Sequence, residues 1–364
     1  MDQRLSGCRG CLLGLAVGDA MGHTVDEKTW QEIQEDYGPN GLLGYDLVNG
    51  CASGSAYTQV AAYVSNGLLL GVTRAKPEFY LRYISLSLRE WARAQHFPRD
   101  PEKSLCWVAK IPQMRVRKCK DSRMLDALRM DPLGTMEKPV NRASSTGSLP
   151  GAVAVGLACS ERGISRGLAS QLGAQTVALT HGNVETFLAG SILAECIASL
   201  LEDREQALET VFDRAVDGML SSFGQRFEQA QELADSLRQV MAMAAEPVED
   251  SRAIMEKLIC GTAAECLAAT FYTCLTAGED FDAAMILAVN HSGRSAVVGS
   301  LTGAILGAKL GAEALPEFYL ESLEAASTLE ELAADLALCS PTAGLFDDAW
   351  DHKYVQGLPK GVEI

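Results

Sequence analysis

The chain has 364 residues, 48% hydrophobic and 21% charged, a composition that fits a folded protein with a sizeable core. Its formal charge of −16 excludes nonspecific attraction to nucleic acid or to an anionic membrane surface. Eleven cysteines, with no zinc-ligand spacing beyond the lone Cys8-Arg9-Gly10-Cys11, point to reduced thiols and a cytoplasmic setting.

In chain order, Arg4 and Arg9 precede a short apolar run at residues 11–17. The run is too short, and too soon followed by Asp19, for a secretory signal, so a buried helix is expected there. Gly10, Gly14, Gly18 and Gly22 recur at intervals of four and would lie as one smooth stripe on that helix, open to close approach by a neighbouring backbone. Each mid-helix glycine costs about 1 kcal/mol relative to alanine, so tight packing must offset the row. Gly38-Pro39-Asn40-Gly41 and residues 98–101 read as turns, and a helical run opens after Ser55. Residues 110–129 hold seven Lys and Arg against only Asp121 and Asp126, which fits either a solvated surface or a loop that grips a phosphate.

Apolar residues then return at three- and four-residue steps over 183–201, 204–220, 224–244 and 262–276, predicting four helices. A second glycine row follows at Gly299, Gly303, Gly307 and Gly311. Residues 313–351 carry ten acidic side chains and no Lys or Arg. No apolar stretch reaches the roughly 18–20 residues needed to span a bilayer, so no membrane partner is expected. The pattern predicts an all-α chain, with one domain over residues 1–364.

Five segments carry a family resemblance. Gly14-Leu15-Ala16-Val17-Gly18-Asp19-Ala20-Met21-Gly22 is similar to G-L-A-x-G-D-A-x-G, the opening motif of the ADP-ribosylglycohydrolases. Ser55-Ala56-Tyr57-Thr58-Gln59 stands where that family has T-D-D-T. Thr146-Gly147-Ser148 resembles the N-G-S stretch that lines the ADP-ribose cleft, and Thr180-His181 the T-H motif. Asn290-His291-Ser292-Gly293-Arg294-Ser295-Ala296-Val297 replaces G-G-D-x-D-T, and Ala314-Leu315-Pro316 follows where the family has a similar A-I-P. The resemblance implies a compact orthogonal multi-helix domain of the ADP-ribosylglycohydrolase type.

It also implies a site from which the metal ligands have gone. The family holds two cations, Mg²⁺ or Mn²⁺, on four aspartates, whose places are taken here by Ala56, Tyr57, Arg294 and Ala296. The local charge moves from −4 to +1. A divalent ion about 4 Å from Arg294 would be repelled by roughly 8 kcal/mol at an effective dielectric near 20. No metal and no other cofactor is therefore expected.

Three readings follow from the resemblance. In the first, the chain is a catalytically impaired homologue that binds an ADP-ribose-like or other anionic small molecule, or an ADP-ribosylated protein. Ser55, Tyr57, Thr146, Gly147, Ser148, Ser292, Gly293 and Arg294 would line its cleft. Arg294 would replace the cations, because its planar fork suits phosphate or carboxylate. In the second, a metal-independent hydrolase uses Asp26, which falls where the family has a substrate-proximal glutamate, with His181 assisting. Asp46 is a further candidate carboxylate, and Thr180 is expected to cap the helix that follows it, placing His181 at the helix start. In the third, the cleft is collapsed and the scaffold serves a structural or partner-binding role.

Overall fold

The structure, a computed structural model, describes residues 2–74, 79–97, 100–160, 163–339 and 348–355. Among these residues it is all α, with helices and short 3-10 turns, three isolated bridges and no strand. The N-terminal helices are α1 (Gln3–Val25), α2 (Trp30–Tyr37), α3 (Ala56–Thr73) and α4 (Tyr80–His96). A loop-rich segment leads through α5 (Ser122–Ala127) to α6 (Leu149–Ala158), α7 (Ala169–Ala178) and α8 (Val184–Glu202). Next come α9 (Leu208–Phe223), α10 (Gln229–Ala245), α11 (Ser251–Lys257), α12 (Ala263–Ala277), α13 (Phe281–Val289) and α14 (Ser295–Leu310). The last described helices are α15 (Glu317–Leu320), α16 (Ala326–Leu338) and α17 (Asp348–Tyr354).

The two glycine rows face each other, and their contact is the central seam of the molecule. An added Cβ would stand 2.1 Å from the Gly307 carbonyl oxygen at Gly10, 2.1 Å from that of Gly303 at Gly14, and 1.9 Å from that of Gly299 at Gly18. The pairing 10–307, 14–303, 18–299 runs α1 antiparallel to α14. No side chain fits between the backbones, so both helices require glycine along this stripe. Residues 11–17 are buried throughout, as the apolar run predicts.

Of the other predicted helices, 183–201 and 262–276 agree with α8 and α12 to one residue at each end. Thr262 caps α12 in a full capping box with Glu265. Two helices start later than their apolar spacing suggests. The turn before α9 is held by Arg204, whose guanidinium donates to the carbonyls of Lys309 and Leu310 and so ties this turn to the end of α14. The segment after α9 begins with Gly224 as its C-cap rather than as the start of α10.

The expectation about apolar length needs correction. Helix α8 has 19 residues and a mean hydropathy of 1.6, long and apolar enough to cross a membrane. Its apolar stretch is 83% buried within this fold, because α6, α7 and α9 pack around it. The turn at 38–41 is present, with Gly38 and Gly41 at φ +87° and +71°. The Asn290 amide exchanges hydrogen bonds with the Leu42 backbone and locks that turn against the end of α13. The turn signal at 98–101 and the acidic run at 313–351 lie partly outside the described residues.

Candidate functional site

Two carboxylates, one buried within α1 and one half-buried at its C-cap, set the geometry of a cleft where α1, α3 and α14 meet. Asp19 is fully buried; it accepts the Ser55 hydroxyl at 2.6 Å, the Thr58 hydroxyl at 2.6 Å and the Thr58 amide at 3.0 Å. It therefore caps α3 from across the helix pair, satisfying donors that a helix start leaves unpaired. About two turns further along, Asp26 ends α1, and its Oδ1 accepts the Ala296 amide at 3.1 Å in the first turn of α14. The starts of α3 and α14, where the sequence places two of the five motif segments, are thus fixed by α1 and its C-cap.

A buried glutamine pair holds the basic segment over this cleft. Gln59 accepts from Trp91 at 3.0 Å and Gln95 at 3.2 Å, and donates to the carbonyls of Gln113 at 2.9 Å and Val116 at 3.0 Å. Gln95 in turn accepts the amides of Lys118 at 2.9 Å and Cys119 at 3.0 Å. Lys118 is committed to an ion pair with Glu324, supported by Ser53. Lys120 and Arg123 stand exposed on the cleft rim.

The cavity that remains has a volume of about 180 Å³ and is lined by Asp26, Tyr57, Asp121, Thr146, Gly147 and Arg294, among others. A larger cavity of about 550 Å³ lies beside α4, between Phe97 and Arg115. It touches none of the five motif segments, so the smaller one is the better candidate on chemical grounds. The cleft is narrowed by Tyr57, whose hydroxyl lies 2.6 Å from Thr146 Oγ1, yet it is not filled. Arg294 lines the cleft while its guanidinium pairs with Glu27 on the rim.

Of the residues singled out from sequence, Asp26, Ser55, Tyr57, Thr146, Gly147 and Arg294 come together on this cavity. Ser148, Ser292, Gly293 and His181 are not among its lining. Ser148 Oγ is buried without a hydrogen-bond partner. Ser292 accepts the Trp30 amide at 2.9 Å and thereby secures the start of α2. Gly293, at φ +118°, gives its carbonyl to the Glu27 amide at 2.8 Å, which fixes the chain leaving α1. Asp46 is exposed and accepts from Tyr37 away from the cleft.

His181 differs from expectation in its position on the helix. The cap of α8 is Asn183, whose side chain accepts the Thr186 amide at 3.1 Å, while Thr180 Oγ1 lies 2.8 Å from His181 Nδ1. Asn183 takes the cap because residues 181–183 follow the turn at Thr180 without helical structure before α8 begins. The His181 ring is fully buried behind the cleft wall, its Nε2 3.2 Å from Asp121 Oδ2 and 3.1 Å from Ser145 Oγ. Its link to the cleft runs through those two residues, which line the cavity and which the motif reading did not single out. The signal for Asp121 was present in Asp121-Ser122-Arg123-Met124, a helix-cap pattern at the end of the basic run.

The two cleft carboxylates are pushed in opposite directions. Burial raises Asp26 to about 6, against the opposing pull of the Ala296 amide and Arg294. Burial also works against the charge of Asp121, but the hydrogen bond and charge of His181, together with Ser145 and the Met124 amide, hold it well below the usual carboxylate range. Burial lowers His23, which also lines the cavity, and its Nδ1 is buried without a hydrogen-bond partner. Burial pushes the Tyr57 phenol far up, so it remains a neutral donor. The donor set does not fit a divalent cation: Ala56, Ala296 and Arg294 offer no side-chain oxygen, and the Tyr57 oxygen is engaged by Thr146. Among the described residues, no three His, Cys, Asp or Glu side chains gather where they could hold a metal ion.

A family model described as ADP-ribosylglycohydrolase matches residues 1–344. A solved structure titled "ADP-ribosylglycohydrolase-related protein complex" superposes with a TM-score of 0.57 at 21% identity, covering 93% of this chain and 100% of the other. That likeness supports the helical fold alone. No curated protein matches the chain.

Proposed function

The chain belongs to the ADP-ribosylglycohydrolase family, and on that premise we propose that it is a catalytically impaired member that binds an ADP-ribose-like anionic ligand without the family's metal pair. One observation carries the reading. The starts of α3 and α14 converge on an open cavity, yet bring Ala56, Tyr57 and Arg294 to its lining, with Ala296 buried in the first turn of α14. Metal-assisted attack of water needs several anionic oxygens around the ions, and this set supplies none. Arg294 provides a guanidinium for phosphate or carboxylate in exchange for its contact with Glu27, and the Tyr57 ring offers a face for a sugar or base. The ligand belongs to the chemistry the family acts on, a small ADP-ribose-like molecule or an ADP-ribosylated protein. All eleven cysteines are free thiols and most are buried, which supports the proposal of a cytoplasmic setting.

Titration calorimetry with ADP-ribose is the direct test. Wild-type protein is expected to bind at up to millimolar ligand, and Arg294→Ala to bind more weakly. No heat from wild type at any concentration sinks the ligand-binding reading. Hydrolysis of ADP-ribosylated substrate that depends on added Mn²⁺ or Mg²⁺ sinks the metal-free part.

A second reading, metal-independent hydrolysis, is favoured by one feature. A pair of carboxylates held in opposite protonation tendencies within one cleft is the arrangement that general acid and base require. Asp26 and Asp121 are such a pair, with His181 acting through Asp121. Turnover in EDTA that disappears in Asp26→Asn would establish it, and inactivity in EDTA across ADP-ribosylated substrates would remove it.

A further inference from the structure

Asp121 belongs to none of the five motif segments, yet its carboxylate forms part of the cleft wall. Its Oδ2 accepts the Ser145 hydroxyl at 2.7 Å and lies 3.2 Å from His181 Nε2, and its Oδ1 accepts the Met124 amide at 3.1 Å. Thr180 Oγ1 stands 2.8 Å from the other ring nitrogen, Nδ1, so the imidazole is held from both sides with Nε2 facing Asp121. The carboxylate leans directly on the loop that resembles the family's cleft-lining stretch: a Cβ on Gly147 would stand 3.1 Å from Asp121 Oδ2.

Two consequences follow for any ligand. A phosphate approaching Gly147 meets a fixed negative charge at contact range, and the His181 N–H that would otherwise greet it is already engaged. The exposed cations of the cleft, Lys120 and Arg123, lie on its rim, while Lys118 is held by Glu324 and Arg294 by Glu27. The inner wall therefore favours hydrogen-bond donors, and the rim favours an anion. The cavity of about 180 Å³ is also small beside the roughly 300–1,000 Å³ of sites that enclose whole drug-sized ligands.

We infer that Asp121 is the specificity-determining residue of this cleft, turning diphosphate away from the Gly147 wall and selecting a ribosyl ligand with its hydroxyls inward and a single phosphate at Lys120 and Arg123. The inference rests on the ligand-binding reading above and ranks sugar monophosphates ahead of the diphosphate within it.

Calorimetry of the full chain with ribose 5-phosphate and with ADP-ribose tests it. Wild type is expected to bind ribose 5-phosphate at least as tightly as ADP-ribose, although the smaller molecule makes fewer contacts. Asp121→Asn keeps a side-chain oxygen to cap α5 and removes the charge. It is expected to tighten ADP-ribose by about tenfold and to change ribose 5-phosphate by less than about threefold. Asp121→Ser, which keeps a capping hydroxyl, is the second variant and should shift the ratio in the same direction. A clear wild-type preference for ADP-ribose, or an unchanged ratio in either folded variant, overturns the specificity assignment and leaves ligand binding standing. Silence of wild type toward both ligands removes both.

Discussion

Replacing Gly303 by alanine probes the seam that positions the cleft. The new Cβ would stand 2.0 Å from the Gly14 carbonyl oxygen, whereas ordinary contact begins near 3.4 Å. The backbones of α1 and α14 must therefore part by the difference, about 1.4 Å, or bend around the clash. A gap of roughly 0.5–1 Å already forfeits a quarter to a half of the dispersion well, and here it would open along the whole glycine stripe. Overpacking of this kind costs about 1–3 kcal/mol, and the upper end applies because the obstructing atoms are backbone on both sides. Alanine returns about 1 kcal/mol of helix propensity, leaving a net loss of about 2 kcal/mol. Gly218 on α9 is the matched control. Its added Cβ meets only Glu195, at 3.8 Å and beyond, so Gly218→Ala should stabilise by about 0.5–1 kcal/mol. Urea unfolding followed by far-ultraviolet circular dichroism gives both values, with an unchanged slope showing that the unfolded state is not what moved. ADP-ribose affinity should fall in Gly303→Ala alone, because Asp26 on α1 and the Ala296 amide on α14 are separated by the same movement. Equal effects at the two glycines, or a Gly303→Ala protein as stable as wild type, would refute the claim that backbone contact holds this seam.

Two further outcomes are expected. Asp26 is protonated more readily in the fold than in the unfolded chain, so its contribution to stability is fully present below the unfolded pKa near 3.8 and lost as pH rises through about 6. The loss is up to about 3 kcal/mol, and Asp26→Asn, which keeps an acceptor for Ala296, should flatten the stability profile between these limits; equal pH dependence in both proteins contradicts the burial argument. Asp19→Ala leaves the Ser55 and Thr58 donors unpaired in a buried site and should cost about 3 kcal/mol or more, measured as the urea midpoint; a cost under about 1 kcal/mol would mean that water or a shifted side chain takes its place.

Local order made the helical class and several of the longer helices legible, but not the contacts that assemble the site. The all-α class, the buried α1, and the ends of α8 and α12 follow from apolar spacing and capping residues that act within a few positions of each other. The glycine rows announced close backbone approach, since a four-residue stripe has little other use on a buried helix. The starts of α9 and α10 were displaced because Arg204 and Gly224 act through partners that periodicity does not contain. Helix α8 is apolar enough for a bilayer, and only its packing inside the fold accounts for that apolarity here.

Part of the cleft lining was legible because Ala56, Tyr57 and Arg294 sit inside recognisable motifs, and side-chain identity is a property of the chain itself. Tertiary structure alone decided that the two glycine rows face each other and that Asp19 and Asp26 each reach across to cap another helix. It also brought Asp121 and Ser145 between His181 and the cavity. These contacts join residues 24 to 297 positions apart in the chain, and nothing in local propensity encodes a partner at that distance. The sequence therefore determined which side chains stand at the starts of α3 and α14, and the fold determined which carboxylates join them at the cleft: a histidine-anchored one on one wall and a half-buried one on the other.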